Sequence, residues 1–319
     1  MRIERWTGDR ARAALASPDL DRTLGVVHGV AALVVDLADD DPGADIAAAT
    51  AELPIVSIGC GPVADAAWDI GTTDAAAAIH GIDAAPRAAV ITAQTLRLAG
   101  SLTPEQGLVV ESLAYATLQG GPEFAAWLAG RGRRVRNDES PRVLVDADDD
   151  PHATVTLNRP RLRNLLDARM RDELVDAFRV LALGPARPIV LRGAGPAFCA
   201  GGDPAEFGTT EDTSSAHLIR SSANVAPWLM AVADRTTAMV HGPCVGAGVE
   251  LAAFCRRVVA HPGTRFRLPE TRMGLMPGAG GTVSIPARIG RQRTLEWLLA
   301  DEEIDATTAL AWGLVDELA

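Results

Sequence analysis

The sequence predicts an α/β fold, and three observations carry that expectation. Short apolar runs of strand length alternate with longer segments of helical period. Glycine-rich turns come directly after several of the predicted strands. The balance of 48% apolar to 22% charged residues, with a mean hydropathy of +0.11, is that of a globular chain with a real core, which excludes disorder as the main description. At 319 residues the chain is about two domains long. Repeated β-turn-α units place ligands at the carboxyl ends of strands.

Taken in order, residues 30–37 (VAALVVDL) and 53–59 (LPIVSIG) read as short buried strands. Between them ADIAAATAEL reads as a helix, giving a βαβ-like fragment. Residues 1–78 are therefore expected to form a small α/β segment. From Ala85 to Arg131 the pattern is helical, in three pieces. Thr103 before Pro104 is a capping residue followed by proline at the first helical position, and Gly120-Gly121 ends that helix. Pro122 opens the next. Residues 131–150 carry RGRRVRNDESPR and DADDDP, a charged seam expected to hold a linker and a first strand.

Beyond the seam, PRVLVDAD and HATVTLNRP read as a strand pair, and LLDARMRDELVDAFRVLAL as an amphipathic helix. RPIVLRGAG is a strand, residues 211–234 are expected to be helical, TTAMVHGP is a strand and GVELAAFCR a helix. RRVVAHP and RFRLPE are strands, and RIGRQRTLEWLLA closes the series as a helix.

Charge and composition exclude several functions. The net charge of −11 disfavours nucleic acid and anionic membrane surfaces. All 30 basic residues are arginine, so a Schiff-base lysine, a P-loop lysine and a lysine general base are ruled out together. The four cysteines (Cys60, Cys199, Cys244 and Cys255) show no CxxC spacing, and no metal site is expected. Neither a leader-like h-region nor a run long enough to span a bilayer is present. The expectation is a soluble, cytoplasmic protein with free thiols.

Two glycine-rich turns carry the chemistry. Phe198-Cys199-Ala200-Gly201-Gly202-Asp203 and Gly242-Pro243-Cys244-Val245-Gly246-Ala247-Gly248 expose backbone N–H groups that no side chain shields. Facing each other, they would hold one oxyanion between two donors. A dinucleotide fingerprint is not encoded, because Leu251 stands where the third glycine belongs. Glu250 opens an otherwise apolar helix, and Glu270 precedes a third glycine turn, Gly274 to Thr282. Taken singly, Glu250 reads as a first-turn acid and Glu270 as an exposed strand-end acid. Taken together beside two N–H traps, they read as a general acid–base pair.

In these motifs the second part of the chain resembles the crotonase (enoyl-CoA hydratase/isomerase) superfamily. The residues that carry the resemblance are VTLNRPRLRNLLDARMRDEL (155–174), RGAGPAFCAGGDPAEF (192–207), AMVHGPCVGAGVELAAFCRRVVA (238–260), RFRLPETRMGLMPGAGGT (265–282) and ALAWGLVDE (309–317), in family order. The resemblance implies a crotonase-like spiral of ββα units over residues 151–319. It implies an oxyanion hole at the N–H groups of Gly202 and Ala247, gripping the thioester oxygen of an acyl-CoA, with Glu250 and Glu270 as catalytic acids. It assigns Ala200, Gly202, Asp203, Pro204, Ala205 and Gly278 to the substrate and CoA site. The chain departs from the family at Ala205, where a basic residue is common, so the phosphate contact is expected from arginines such as Arg161 or Arg163, or from another subunit. No cofactor is implied, coenzyme A being part of the substrate, and a homo-oligomer, a trimer or a dimer of trimers, is expected. With both glutamates present, the expected reaction is hydration of a 2-enoyl-CoA to a 3-hydroxyacyl-CoA; the alternatives are double-bond isomerisation or other thioester-enolate chemistry, and a non-catalytic acyl-CoA-binding homologue.

Family members continue past the GLVDE motif with a helical tail, and this sequence stops at Ala319. Residues 79–132 resemble that tail, with Glu111 and Tyr115 as its E-x-x-x-(F/Y) item and Trp127, Leu128 and Arg131 as its ending. The expectation is a tail displaced ahead of the core, packing on it in the same or a neighbouring subunit. The strands of residues 22–60 resemble a shrunken second crotonase-like unit without a catalytic role.

Overall fold

The computed structural model describes residues 1–17, 24–131, 140–147 and 151–319; most of the expected linker lies outside the described residues. The chain opens with β1 (Arg2–Thr7) and α1 (Gly8–Leu15), followed by β2 (Val30–Asp36), α2 (Ala44–Thr50), β3 (Val56–Cys60) and β4 (Ile70–Thr72). These strands form a parallel sheet in sequential order. Val30–Val35 are all buried, the mark of a parallel strand covered on both faces. β1 and α1 are additions to the sequence reading. Only Trp6 of β1 is buried, so the strand has no apolar alternation to announce it.

Four helices follow: α3 (Ala76–Ala84), α4 (Pro86–Leu98), α5 (Pro104–Gln119) and α6 (Pro122–Ala129). Three match the expected pieces. α5 starts with a complete capping box, in which Thr103 Oγ1 accepts from Gln106 N and Gln106 returns an acceptor to Thr103 N.

The second part builds two sheets. β5 (Val143–Asp146) and β6 (Ala153–Leu157) form the expected antiparallel hairpin, after which α7 (Ala168–Leu183) leads to β7 (Ile189–Gly193). The helix expected over 211–234 is divided into α8 (Thr213–Ser222), α9 (Ala226–Met230) and a short 3₁₀ turn, broken before Pro227. Next come β8 (Thr236–Val240), β9 (Pro243–Val245), α10 (Ala247–Phe254), β10 (Arg257–Ala260) and β11 (Arg265–Arg267). The last expected helix is two, α11 (Gly281–Ile289) and α12 (Arg291–Ala300), separated by Gly290 at φ 79°. β12 (Ile304–Asp305), α13 (Ala306–Trp312) and β13 (Glu317–Leu318) end the chain. One sheet runs β13-β10-β8-β7-β6-β5 and the other β12-β11-β9.

One apolar core joins both parts. Ala31, Val34 and Ile58 of the first sheet and Ile82, Ala89 and Leu96 of α3 and α4 belong to the same buried cluster as Ile285, Leu295, Leu298 and Leu299 of α11 and α12. The join is also polar: Gln292 Nε2 donates to the carbonyls of Asp65 and Trp68 at 3.0 and 3.1 Å.

Candidate active site

The two glycine turns lie side by side. The backbones at Cys199 and Cys244 pair in parallel, with Cys199 N donating to Pro243 O and Val245 N to Cys199 O at 2.9 Å. A Cβ on Gly248 would stand 2.5 Å from Cys199 O, so only glycine lets the α10 backbone come this close. Gly202 and Ala247 thereby reach one cavity of about 280 Å³. Among the described residues, no carbonyl takes the N–H of Gly202 or of Ala247. Ala247 is the first residue of α10, where N–H groups and helix dipole favour negative charge.

Both predicted acids line this cavity. Glu250 is 2% exposed, and its Oε2 accepts from Ala279 N at 2.7 Å and Gly281 N at 2.8 Å. Glu270 is 7% exposed rather than a surface acid, and its buried Oε2 has no hydrogen-bond partner among the described residues. Burial pushes the Glu270 carboxyl up to about 8. Burial, then repulsion from Glu111 and Glu270, raises the Glu250 carboxyl well above the usual carboxylate range. Gly246, at φ 50°, leaves room for Glu270: a Cβ there would lie 2.5 Å from Glu270 Oε1.

Ala200, Gly202, Pro204 and Gly278 also line the cavity, whereas Asp203, Ala205 and Arg163 do not. Asp203 is buried and committed to Arg159 Nη1 at 2.6 Å, while its other oxygen caps the 3₁₀ turn at Ala205 N. Arg163 is an exposed left-handed residue at φ 51° whose carbonyl accepts from Ala200 N, so its backbone shapes the first glycine turn. Arg161 is likewise exposed.

The site contains residues the sequence reading did not assign to it. Tyr115 of α5 packs on Gly278, where a Cβ would meet its ring at 2.5 Å. Arg220 of α8 stacks over Tyr115 at 4.5 Å and also lines the cavity. Phe207 closes on Gly202 and is itself backed by Trp127 of α6, ring centroids 5.8 Å apart. Glu111 accepts from Gly280 N, Thr282 N and Thr282 Oγ1 at 2.7–2.8 Å, and burial pushes its carboxyl up to about 7. The E-x-x-x-Y spacing of Glu111 and Tyr115 was the one available signal. Cys199, beside the first turn, is a buried thiol pushed up to about 12 by desolvation, unsuited to nucleophilic attack.

Two adjoining sheets, paired glycine turns and an apolar helix entering the second turn define a crotonase fold. An enoyl-CoA hydratase of Thermoplasma volcanium superposes at a TM-score of 0.52 with 28% identity, over 57% of this chain and 73% of that one. A Thermobifida fusca protein solved in complex with CoA gives a TM-score of 0.50 with 27% identity, over 56% of this chain and 72% of that one. Residues 151–319, more than half of the chain, match the family model described as enoyl-CoA hydratase/isomerase, and the chain belongs to that family. The 2,3-dehydroadipyl-CoA hydratase of Escherichia coli is 35% identical over 165 residues, 51% of this chain. The chain spans 64% of the length of the curated relatives it matches first.

Proposed function

We propose that this protein binds acyl-CoA thioesters and hydrates a 2-enoyl-CoA to a 3-hydroxyacyl-CoA. The observation that carries the reading is a pair of buried carboxyls, Glu250 and Glu270, opening on the same cavity as the two free amides of Gly202 and Ala247. The amides would take the thioester oxygen and stabilise the enolate; one such donor contributes about 3–4 kcal/mol to barrier lowering. Polarised in this way, the substrate is electrophilic at Cβ. Burial raises both carboxyls, which favours a proton staying on the pair, and the reading takes one carboxyl as the acid and the other, ionised, as the base. The base takes a proton from water as the water oxygen bonds to Cβ. The acid returns a proton to Cα, and the two protons balance. A double-bond shift needs only one carboxyl to remove and return a proton.

The same reading takes residues 79–131 as the displaced tail, covering the cavity in cis with Tyr115 and, behind Phe207, Trp127. It takes the first sheet as a non-catalytic relic unit, and the assembly as a cytoplasmic homo-oligomer. The family resemblance and the CoA complex of the Thermobifida fusca protein support CoA as part of the substrate. Among the described residues, no helix is long and apolar enough to cross a membrane.

The test is spectrophotometric turnover of crotonyl-CoA and longer enoyl-CoAs by the wild type, Glu250→Gln and Glu270→Gln. Loss of about 10²–10⁴-fold in kcat with either variant is expected. Isomerase turnover sensitive to one glutamate alone would replace hydration with a double-bond shift. Acyl-CoA binding without turnover at any chain length would overturn catalysis.

A further inference from the structure

Glu111 lies on α5, ahead of the residues that match the family model, yet its carboxylate closes on the turn that holds Glu250. Its Oε1 accepts from Gly280 N at 2.8 Å, and its Oε2 accepts from Thr282 N at 2.8 Å and Thr282 Oγ1 at 2.7 Å. Glu250 Oε2 accepts from the alternate amides, Ala279 and Gly281. Four successive N–H groups are thus divided between two carboxylates, one from each part of the chain. The turn passes through Gly280 at φ 103° and becomes the start of α11 at Gly281. Successive backbone donors in such a turn form an anion-holding nest. Here the nest holds two side-chain carboxyls, and each steadies the turn whose remaining amides orient the other.

We propose that Glu111 is a positioning residue for the reaction: it holds the 279–282 turn in the shape that presents Glu250 to the cavity and sets a negative charge beside it. The inference rests on the reading of Glu250 as an acid–base group. Several charged groups face Glu111. Arg220 of α8 favours its ionised form, while Glu250 of α10 and Glu270 are the acids whose proton it disfavours losing. Tyr115 lies on its own helix, under Arg220. His217 of α8 contacts Ser112, the next residue on α5, with Nδ1 2.9 Å from Ser112 Oγ. Glutamine in place of Glu111 keeps one acceptor oxygen, and its NH₂ would face an amide donor on the other side, so half of the clamp is lost.

The experiment compares wild type and Glu111→Gln by steady-state kinetics and by ¹³C NMR titration of side-chain-labelled glutamate. Circular dichroism establishes that the variant is folded. We expect kcat to fall about tenfold to a hundredfold with KM changed by less than about threefold. The Glu250 titration should move to lower pH, because a repelling neighbour is gone. A folded variant with kcat within about twofold of wild type and an unmoved Glu250 titration overturns the proposal. Should wild type turn over no enoyl-CoA, the proposed function fails and the titration alone decides: a shift upholds the coupling, and none overturns it. Should Glu111→Gln not fold, Thr282→Val removes only the hydroxyl donor. It is then expected to raise the Glu111 titration and lower kcat, and an unchanged titration counts against the proposal.

Discussion

At the scale of single residues, the buried acids make a prediction about stability as well as catalysis. In the folded chain Glu270 keeps its proton up to about 8, against an ordinary value of 4.5. Between those values the folded state binds more protons than the unfolded state, so stability falls as pH rises. The contribution is whole below about 4.5 and is lost as pH passes through 8. Each fully differing proton gives a slope of about 1.4 kcal/mol per pH unit. Urea titrations at intervals from pH 5 to pH 9 should show this decline, and Glu270→Gln should make it shallower, because an amide has no proton to lose, while Glu111 and Glu250 keep their own shares. An equally steep decline in the variant would assign the slope to other groups. Both glutamates were legible in the sequence because each stands beside a glycine turn in apolar surroundings. Their burial was less legible: Glu270 taken singly read as an exposed strand-end acid, and only the folded chain shows its Oε2 sealed from solvent. Arg220 was not legible at all, since what sets it apart is the Tyr115 ring brought against it by packing.

At the scale of elements, the join between the two parts depends on close helix crossings. On α3, a Cβ at Gly81 would stand 1.9 Å from Leu299 O of α12, so the two backbones are in contact. Gly81→Ala is expected to destabilise by about 1–3 kcal/mol through overpacking, despite the better helix propensity of alanine. Gly100→Ala, where a Cβ meets nothing within 4 Å, should be neutral or slightly stabilising. Chemical denaturation midpoints of the two variants check this, and equal midpoints would show that α3 and α12 can part at little cost. The sequence could not announce this crossing. Residues 76–84 are mostly alanine and glycine, with only His80 and Asp83 to mark a polar face, whereas Thr103 and Pro104 declare the start of α5 through local capping chemistry. The helical pattern of the sequence runs on through Gly290, whose positive φ separates α11 from α12.

At the scale of the whole molecule, the family match begins at residue 151, but the core does not. Helices α11 and α12 press apolar side chains against α3 and α4. Gln292 and Arg291 bind carbonyls of the first part, and Glu111 reaches the turn at 279–282 from α5. The glycine turns and paired acids could be read from the second part alone, because those motifs are local. The dependence of that part on residues 1–131 could not, since it arises between segments far apart in the chain. A fragment of residues 140–319 should therefore leave the inner faces of α11 and α12 in water. It is expected to bind a hydrophobic dye, to lack one cooperative unfolding transition and to turn over no enoyl-CoA. Co-expressed with residues 1–131, it should assemble, unfold in a single transition and regain turnover, because the contacts that join the parts need no covalent connection through residues 132–139. If the fragment alone unfolds cooperatively and matches the full chain in kcat, then the first part is an appendage and Glu111 is dispensable. If the assembled pair is folded but inactive, while the intact chain is active, the connection itself holds α5 against the turn at 279–282.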